Sequence, residues 1–416
     1  MFTTFYPPYS FGGDAIGVQR MARALAARGH QVTVVHDEDS YLILGGKVQA
    51  EGAPDGVQRI GLRARNGFVS NLLTQQTGRP TIHAAHIREI IAEGRFDIIW
   101  YNNTSLVGGP GLLALGDGFK VYEAHEHWLV CPTHVLWRHE RELCDRRECL
   151  KCVITYRRPP QLWRYTGLLD RMLDKADLIV AKSEFSRRKH REFGLRQEMQ
   201  VLPYFLPDLD AGAIAPFTGH PRPYFLFVGR LEKIKGLQDV FPAMDRYPDA
   251  DLLILGDGDY AGPLHELAAG NPRIQFLGRK SPDELNAYYR GAEALIVPSV
   301  CYETFGIILI ESFRLGTPVI ARRLGPFPEI VEASGGGLLF QTQDELVAAM
   351  RVMQASAERR ASMSRKARQA FETHWREDRV MAAYGAAFAQ AAHRKGDRAL
   401  SKALEAGAFE HGAAAA

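Results

Sequence analysis

Short apolar runs alternate with stretches of helical period along most of the chain. This alternation predicts an α/β fold with parallel sheets. In the first half we expect strands at 2–6, 31–36, 96–101, 119–124, 178–181 and 199–202. Helices are expected from Ile16 to the stop at Gly29, over 162–176, and after the capping residue Ser183. The run 2–6 is short, which leaves open whether its strand begins before Met1.

The second half repeats the pattern after residues 203–222, which are rich in Pro, Ala and Gly and carry no clear period. We expect strands at 224–228, 252–255, 273–277, 294–297 and 318–321. Helices are expected from Gly236, from Ala261, over 282–290, over 306–315, and for most of the chain from Asp344 to about His393. The last stretch has too little apolar content to dock, so we expect it to be disordered.

Chain length and composition bound the class of protein. The 416 residues exceed the size at which one hydrophobic core stops growing. We therefore expect an N-terminal domain (1–204) with an insertion at 128–165, a linker (205–222), a C-terminal domain (223–374), a crossing helix (375–395) and a disordered tail (396–416). The hydrophobic share of 46% and the charged share of 24% are typical of a soluble enzyme, and the net charge of +3 is too small to indicate a nucleic-acid partner.

Targeting signals are not evident in the sequence. We expect no transmembrane helix, because no run of about 18 apolar residues occurs. Residues 1–10 lack a basic n-region and a long apolar stretch, so they do not resemble a signal peptide. The cytoplasm is then the default location, and the five cysteines are expected to be reduced thiols unless they bind something.

The strongest chemical signal lies at 298–311, Pro-Ser-Val-Cys-Tyr-Glu-Thr-Phe-Gly-Ile-Ile-Leu-Ile-Glu. Glu303 and Glu311 flank a Phe-Gly pair at the start of an expected helix. A helix that starts near Gly306 offers unpaired N–H groups to an anion, and carboxylates accept two hydrogen bonds with fixed geometry, which suits sugar hydroxyls. Taken alone, the pair favours an ordinary strand–turn–helix unit with an acidic residue stabilised by the helix dipole.

A second signal is the loop 229–236, Gly-Arg-Leu-Glu-Lys-Ile-Lys-Gly, which follows the first strand of the second half. Arg230 and Lys235 lie on this strand-to-helix connection, where two cations can hold a diphosphate. The alternative is a solvated basic loop. The Gly256-Asp257-Gly258 turn after the next strand is weak evidence on its own.

The order of these segments closely resembles glycosyltransferase family 4 over nearly the whole chain, and most densely from Val228 to Ile330. The resemblance implies the α/β GT-B fold, with two Rossmann-like domains whose parallel sheets face a cleft and a C-terminal helix that crosses back to the first domain. It also implies a retaining enzyme that moves a sugar from a nucleotide-diphosphate sugar to an acceptor.

The resemblance assigns roles to residues that match the family's motifs. Glu303 contacts the donor sugar, Glu311 holds the ribose hydroxyls, and Arg230 and Lys235 neutralise the diphosphate. Backbone N–H groups around Gly306 face the distal phosphate, which the first Gly-rich loop approaches from the other domain. The donor-binding residues implied in this way are Gly12, Gly13, Gly229, Phe305, Gly306, Ile307 and Glu311.

Two segments depart from the family pattern. The usual Gly-Gly-x-Pro-Glu stretch appears at 324–329 as Leu-Gly-Pro-Phe-Pro-Glu, which puts sugar contacts there in doubt. The hinge, often Asn-Gly-Val-Asp, appears at 204–208 as Tyr-Phe-Leu-Pro-Asp, which puts the hinge geometry in doubt.

His125 completes the expected catalytic set with Glu303, Arg230 and Lys235. It lies in Ala-His-Glu-His-Trp at 124–128, after an expected strand, and matches the family's His-Asp or His-Glu element. Ligands of α/β sheets bind at the carboxyl ends of strands, and histidine can donate a hydrogen bond to a sugar hydroxyl. His127 is the alternative, and a lone histidine is more often structural.

The insertion at 128–165 carries a cysteine cluster: Cys131, Cys144, Cys149 and Cys152. The C-x2-C spacing of the last pair suits a tetrahedral metal, so structural zinc is one interpretation and four reduced thiols are the other. Arginines and aromatic residues are also mixed in this segment. They suit an anionic or lipid-linked acceptor or a membrane surface, but a solvated face of paired charges explains them equally well.

No catalytic metal is expected. Asp-x-Asp occurs at 37–39, 208–210 and 257–259, and three scattered copies in an Asp-rich chain are typical of chance. Rival functions are a sugar-nucleotide epimerase of the same fold, a dinucleotide oxidoreductase and a catalytically silent binding module. The oxidoreductase is disfavoured because no complete G-x-G-x-x-G follows an early strand. The donor's base and sugar, the acceptor and the oligomeric state are not visible in the sequence.

Overall fold

The computed structural model describes residues 1–47, 55–407 and 409. The chain divides into two compact units: Met1–Pro203 together with the segment from Val380 onward, and Tyr204–Arg379. The first unit therefore contains both ends of the described chain, and the second is continuous in sequence.

The first unit is built on a parallel sheet. Its strands are β1 (Phe2–Thr3), β2 (Val32–Asp37), β3 (Val57–Leu62), β4 (Ile98–Tyr101), β5 (Phe119–Ala124), β6 (Trp137–Arg138), β7 (Glu142–Leu143), β8 (Leu178–Ala181) and β9 (Gln200–Val201). In the described residues, seven of them form one sheet in the order β3-β2-β1-β4-β5-β8-β9, and β6 pairs with β7 as an antiparallel hairpin. The order reverses direction between β1 and β4, which is where such sheets bind ligands.

Helices cover this sheet. They are α1 (Gly13–Ala27), α2 (Glu38–Ile43), α3 (Gly67–Thr77), α4 (Ala84–Gly94), α5 (Cys149–Thr155), α6 (Leu168–Leu173) and α7 (Glu184–Glu192), with short 3-10 helices at Pro110–Ala114, His127–Leu129 and Leu162–Tyr165. Ser183 caps α7 as predicted, because its side chain accepts a hydrogen bond from the Ser186 N–H.

The second unit repeats the plan with a six-stranded parallel sheet in the described residues. Its strands are β10 (Tyr224–Val228), β11 (Asp251–Leu255), β12 (Ile274–Gly278), β13 (Leu295–Val297), β14 (Val319–Arg322) and β15 (Gly337–Phe340), in the order β12-β11-β10-β13-β14-β15. Its helices are α8 (Phe241–Asp245), α9 (Ala261–Ala268), α10 (Pro282–Gly291), α11 (Ile307–Arg314), α12 (Phe327–Ser334), α13 (Gln343–Ala355) and α14 (Ala357–Ala370). Short 3-10 helices lie at Ala211–Ala213, Lys233–Lys235 and Leu237–Asp239, and a π-helix at Phe371–Trp375.

β10 shows why the strands of this unit are continuous apolar runs. Phe225 and Phe227 join the core on one face of the sheet, and Leu226 and Val228 join the core on the other. Both faces are covered by helices, so no position along the strand faces water.

The chain returns to the first unit through α15 (Glu377–Lys395), followed by α16 (Arg398–Glu405). Tyr384 of α15 is fully buried and bonds two buried charged groups of the sheet. The Lys182 ammonium donates to the Tyr384 hydroxyl at 2.8 Å, and this hydroxyl donates to Glu123 Oε1 at 2.8 Å. Lys182 and Glu123 also form a direct ion pair. These three side chains anchor α15 to the carboxyl ends of β5 and β8.

Two expectations about the ends of the domains are wrong. The expected linker, 205–222, belongs to the second unit, because its Phe217 ring packs on Tyr288 with centroids 4.1 Å apart. The expected disordered tail, 396–416, contains α16, whose Leu404 is buried, and Phe409 packs on Phe388 with ring centroids 5.2 Å apart. Residues 408 and 410–416 of that tail lie outside the described residues.

Two expected helices are also different. The segment 162–176 is a 3-10 helix and α6, separated at Gly167, which adopts a left-handed conformation with φ of 68°. The segment after Gly236 begins as the 3-10 helix Leu237–Asp239 before α8. In the part of the chain that the structure describes, no helix is long and apolar enough to cross a membrane.

Candidate active site

The expected donor residues of the second unit lie at its topological switch point. β10 and β13 are neighbours in the sheet, and the chain continues from them to opposite sides. The loop after β10 carries Arg230 and Lys235, and the loop after β13 carries Glu303. Because parallel strands end at the same edge of a sheet, the fold brings these residues together.

Glycines allow the loops at this edge to touch through their backbones. Gly256 has a φ of 147°, and a Cβ there would lie 1.9 Å from the Gly229 carbonyl oxygen. A Cβ at Gly258 would lie 2.5 Å from the Leu231 oxygen. The weak Gly-x-Gly signal of the sequence therefore has a structural cause: it makes room for the 229–231 loop.

Lys235 and Glu303 form the centre of the site. The Lys235 ammonium donates to Glu303 Oε1 at 2.6 Å, and the Ser299 hydroxyl donates to the same oxygen at 3.1 Å. The backbone fixes this pairing, since Val300 N–H donates to the Ile234 oxygen at 2.9 Å. The Lys235 and Glu303 side chains are 27% and 24% exposed, so both can reach a ligand from solvent.

The groups around Lys235 keep its ammonium protonated. Burial lowers its pKa, but the Glu303 carboxylate, together with Cys301 and Glu232, more than offsets burial, so the net pKa lies above the ordinary lysine value. Lys235 is therefore a cation over the physiological range. An ammonium has three donors and the bond to Glu303 uses one, so Lys235 can bind Glu303 and an anionic oxygen together.

Arg230 is the second expected cation. Its guanidinium is 52% exposed and bonds Glu232 at 2.8 Å, two residues along the same loop. Exposed pairs of this kind contribute little stability, so a phosphate can compete for the guanidinium.

The start of α11 provides the anion-binding backbone. Gly306 is the N-cap residue with φ of 111°, and it has no side chain with which to cap the helix. Phe305 is buried, and Ile307 begins the helix, so the N–H groups of the first turn point out along the helix axis. Further along α11, Glu311 Oε2 accepts a hydrogen bond from the Tyr289 hydroxyl at 3.2 Å.

In the first unit, the Gly-rich loop leaves open space. Gly12 is the extended N-cap residue of α1, and Gly13 begins the helix. A Cβ at Gly13 would meet nothing within 4 Å, and one at Gly12 would meet only the Asp14 carboxylate, at 3.8 Å. A ligand can thus approach this helix start closely, as a phosphate requires.

His125 follows β5 and is buried, with its Nε2 2.9 Å from Asn102 Oδ1. Asn102 Nδ2 donates to the Phe2 carbonyl at 3.4 Å, which directs Oδ1 toward the ring and favours the tautomer with the proton on Nε2. Burial lowers the pKa of His125 to about 4, against the opposing charges of Asp14 and Glu126. The imidazole is therefore neutral at physiological pH.

Sequence reasoning missed several partners of the site. Asn102 was detectable, because Asn102 and Asn103 directly follow the expected strand 96–101. Ser299 and Tyr289, which bond Glu303 and Glu311, carry no local signal. His127, the alternative to His125, packs against His190 with ring centroids 5.2 Å apart.

The four cysteines of the insertion line one small cavity of about 20 Å³, together with Arg138 and Glu148. Burial, and then the three neighbouring thiols, raise the pKa of Cys144 to about 12. The residue types suit zinc, but in the described residues no three His, Cys, Asp or Glu side chains have an arrangement that holds a metal ion. Structural zinc at Cys131, Cys144, Cys149 and Cys152 stays a prediction, which elemental analysis of reductively purified protein would test.

Family models match both units. The model described as Glycosyltransferase Family 4 matches residues 11–206, and the model described as Glycosyl transferases group 1 matches residues 216–370. The chain belongs to glycosyltransferase family 4. The resemblance seen in the sequence is thereby confirmed.

Relatives of this family 4 chain differ in how much of it they cover. A sulfoquinovosyl transferase of Arabidopsis thaliana is 32% identical over 166 residues, 38% of this chain and 32% of that protein. A phosphatidyl-myo-inositol mannosyltransferase of Mycolicibacterium smegmatis is 27% identical over 351 residues, 81% of this chain and 80% of that protein. The chain thus spans about a third of the plant relative and four fifths of the mycobacterial one.

Solved structures share the fold. A sucrose-phosphate synthase from Thermosynechococcus elongatus has a TM-score of 0.71 at 19% identity, covering 94% of this chain and 98% of that one. Anabaena HepE in complex with UDP-glucose has a TM-score of 0.63 at 16% identity, covering 95% and 99%. The expected GT-B fold is confirmed.

Proposed function

We propose that the protein is a retaining glycosyltransferase that moves a sugar from a nucleotide-diphosphate sugar to a glycan, a lipid-linked glycan or a small molecule. The observation that carries this proposal is the Lys235–Glu303 pair at the switch point of the second unit, with Glu303 three residues before Gly306, the N-cap residue of α11, a helix start that no side chain caps. Membership of family 4 supports it, and so does the UDP-glucose bound in the similarly folded HepE structure.

In this proposal the second unit binds the donor. Lys235 and Arg230 neutralise the diphosphate, and the backbone N–H groups at Phe305, Gly306 and Ile307 bind its distal phosphate. Glu303 accepts hydrogen bonds from the donor sugar while it positions Lys235. Glu311, held by Tyr289, accepts hydrogen bonds from the ribose hydroxyls.

In the first unit, the proposed roles belong to His125 and to the Gly12–Gly13 loop. A neutral imidazole can exchange a hydrogen bond with a sugar hydroxyl without placing a second positive charge beside the sugar. The bare helix start at Gly12 and Gly13 leaves room for a phosphate. The strand end that holds His125 is the usual position of a ligand contact.

The proposed route of transfer is on the front face of the sugar. The bond from the anomeric carbon to the phosphate oxygen breaks, the acceptor hydroxyl bonds that carbon on the same face, and its proton passes to the leaving phosphate oxygen. Lys235, Arg230 and the α11 N–H groups stabilise the charge that develops on the diphosphate. Glu303 is engaged with Lys235 and Ser299, so it is assigned to sugar binding and not to nucleophilic attack.

The test has two stages. A thermal-shift screen of UDP-, GDP- and ADP-sugars identifies the donor, because a ligand well above its Kd adds measurable stability. NMR of the first product formed from that donor then gives the anomeric configuration. An inverted anomer overturns the retaining assignment, and a trapped glycosyl adduct on Glu303 overturns the front-face route.

The proposed location is cytoplasmic and peripheral at the inner face of a membrane. The basic, aromatic insertion supports this location, because an acceptor carried on lipid is presented at the membrane surface. A role in building cell-envelope polysaccharide is the corresponding process.

A further inference from the structure

Helix α3 of the first unit has an inverted amphipathic pattern. Its buried residues are polar: Ser70, Asn71 and Thr74. Its exposed residues are apolar, and their exposed fractions are 63% for Phe68, 40% for Val69, 37% for Leu72 and 39% for Leu73. A surface helix of a soluble protein normally has the opposite arrangement, so this face needs an apolar partner.

The buried polar side of α3 is not an accident of packing. Ser40 Oγ lies 3.2 Å from the Asn71 amide oxygen, and Ser40 N–H donates to Asp37, the residue that caps α2. The Ser40–Asn71 hydrogen bond therefore links the inner face of α3 to α2. The helix cannot rotate its apolar side inward without breaking this bond.

A second segment extends the same surface. Gln75 and Gln76 donate to the Pro159 and Pro160 carbonyls at 3.3 and 3.1 Å, and the Trp163 indole donates to the Gln75 carbonyl at 2.8 Å. Beside these contacts, Leu162 is 60% exposed and Tyr165 is 69% exposed. We define the apolar face by its six exposed residues: Phe68, Val69, Leu72, Leu73, Leu162 and Tyr165.

The two stretches of chain that carry the apolar face contain cations and no acidic residue. Neither residues 63–88, which contain α3, nor residues 149–169, which contain the second segment, include an Asp or a Glu. The exposed cations of these two stretches that flank the apolar face are Arg63, Arg65, Arg79, Arg157 and Arg158. Apolar and aromatic side chains bordered by arginines are what a bilayer with anionic headgroups binds.

We infer that the apolar face is the surface by which this protein docks on an anionic lipid bilayer, with Phe68 and Leu72 inserted at the headgroup boundary and the flanking arginines on lipid phosphates. A symmetric contact between two copies is the less favourable occupant, because it would place the same arginines against each other. The inference rests on the peripheral location proposed above, but it requires neither donor nor acceptor chemistry.

Vesicle co-sedimentation of the full chain tests the inference. We expect binding to phosphatidylcholine vesicles that contain phosphatidylglycerol, weaker binding to pure phosphatidylcholine, and a loss of binding as salt is raised. The variant Phe68→Ser with Leu72→Ser is expected to bind about 10-fold more weakly or worse, because two inserted side chains are lost. The variant Arg157→Gln with Arg158→Gln is expected to lose about fivefold in affinity for anionic vesicles for each charge removed.

The matched control is Leu267→Ser, which removes a leucine of the second unit that is 58% exposed; it is expected to bind vesicles like the wild type. Equal binding by the Phe68/Leu72 variant, equal binding to neutral and anionic vesicles, or no binding by the wild type overturns the inference. So does a dimer in sedimentation velocity that the same variant converts to monomer. Thermal shift with nucleotide sugars, run in parallel, reports on the proposed function separately, since the variants leave the residues of the candidate site intact.

Discussion

The lysine–glutamate pairs Lys182–Glu123 in the first unit and Lys235–Glu303 in the second both lie at or just after the carboxyl ends of strands of a parallel sheet, and their surroundings differ. Lys182 and Glu123 in the first unit are each no more than 2% exposed, and the Tyr384 hydroxyl bonds both. Lys235 and Glu303 in the second unit are about a quarter exposed. Burial lowers the pKa of Lys182, while Glu303 keeps the pKa of Lys235 above its ordinary value.

The difference separates a structural pair from one suited to a ligand. The buried pair is closed by a third side chain, so its groups serve to attach α15 to the sheet. The Lys235–Glu303 pair, about a quarter exposed, leaves Lys235 with donors beyond the one that bonds Glu303. Position at a strand end alone therefore does not identify a candidate binding residue; exposure and a spare donor are needed as well.

The largest effect is expected from breaking the buried pair. Lys182→Met leaves Glu123 buried without its cation, which should lower the free energy of unfolding by about 3–5 kcal/mol. Urea denaturation measures this loss. Adding Glu123→Gln in the same chain should restore most of the stability, because no buried charge then remains; a double variant as unstable as Lys182→Met would contradict this account.

The next largest effect is expected for the Lys235–Glu303 pair, and it should appear in the turnover rate instead of the stability. Lys235→Ala removes a cation that stabilises the leaving diphosphate, so turnover should fall by roughly 10²–10³. The midpoint of urea denaturation should change little, since a partly exposed ion pair contributes about 1 kcal/mol or less. Lys233→Ala, an exposed lysine of the same 3-10 turn, is the control. Wild-type turnover in Lys235→Ala would exclude the diphosphate role.

A smaller effect is expected for the acidic partner. Glu303→Gln keeps the size of the side chain and its contact with Ser299 but weakens the bonds to Lys235 and to the sugar. Loss of one charged hydrogen bond should lower turnover by about 10- to 100-fold. Steady-state kinetics should show a fall in kcat, with Glu266→Gln, an exposed glutamate of α9, as the control for general loss of charge. An unchanged kcat would show that Glu303 has no role in the reaction.

The smallest effect is expected when pH is varied, and it concerns the protonation of the His125 ring. Burial disfavours the charged imidazole and lowers the pKa of His125 to about 4, so the group stays neutral as pH falls from 8 to 6. Its ring resonances should therefore not titrate in this range, and NMR spectra compared with those of His125→Asn would assign them. A transition near pH 6.5 would show that the ring is not buried from solvent in the way that the Glu123 and Lys182 side chains are.

Sequence reasoning succeeded best in the second unit. The strands β10 to β14 lie within one or two residues of prediction, because both faces of the sheet are buried and these strands are largely continuous apolar runs. β3 (Val57–Leu62) was not predicted, because this edge strand contains Gln58, Arg59 and Gly61 and has no apolar run. α12 and β15 were also missed.

The candidate site likewise has features that the sequence predicts and features that it does not. The positions of Lys235, Glu303 and Gly306 follow from motifs that directly succeed the predicted strands 224–228 and 294–297, and parallel strands end at one edge of a sheet. The attachment of Tyr384 to Glu123 cannot be predicted in this way, because the two residues are 261 positions apart and no local pattern links them. The same is true of the hydrogen bond that links the inner face of α3 to α2.

The return of α15 to the first unit has a consequence for synthesis of the chain. Tyr384 follows Lys182 by 202 positions, which takes a ribosome roughly 10–40 s at about 5–20 residues per second. The second unit is continuous and emerges complete in that interval, while the nascent first unit holds Glu123 and Lys182 without their third partner. The unit that is translated first is therefore the unit that is completed last, and a stop codon between Arg379 and Tyr384 would release a chain in which only the second unit is complete.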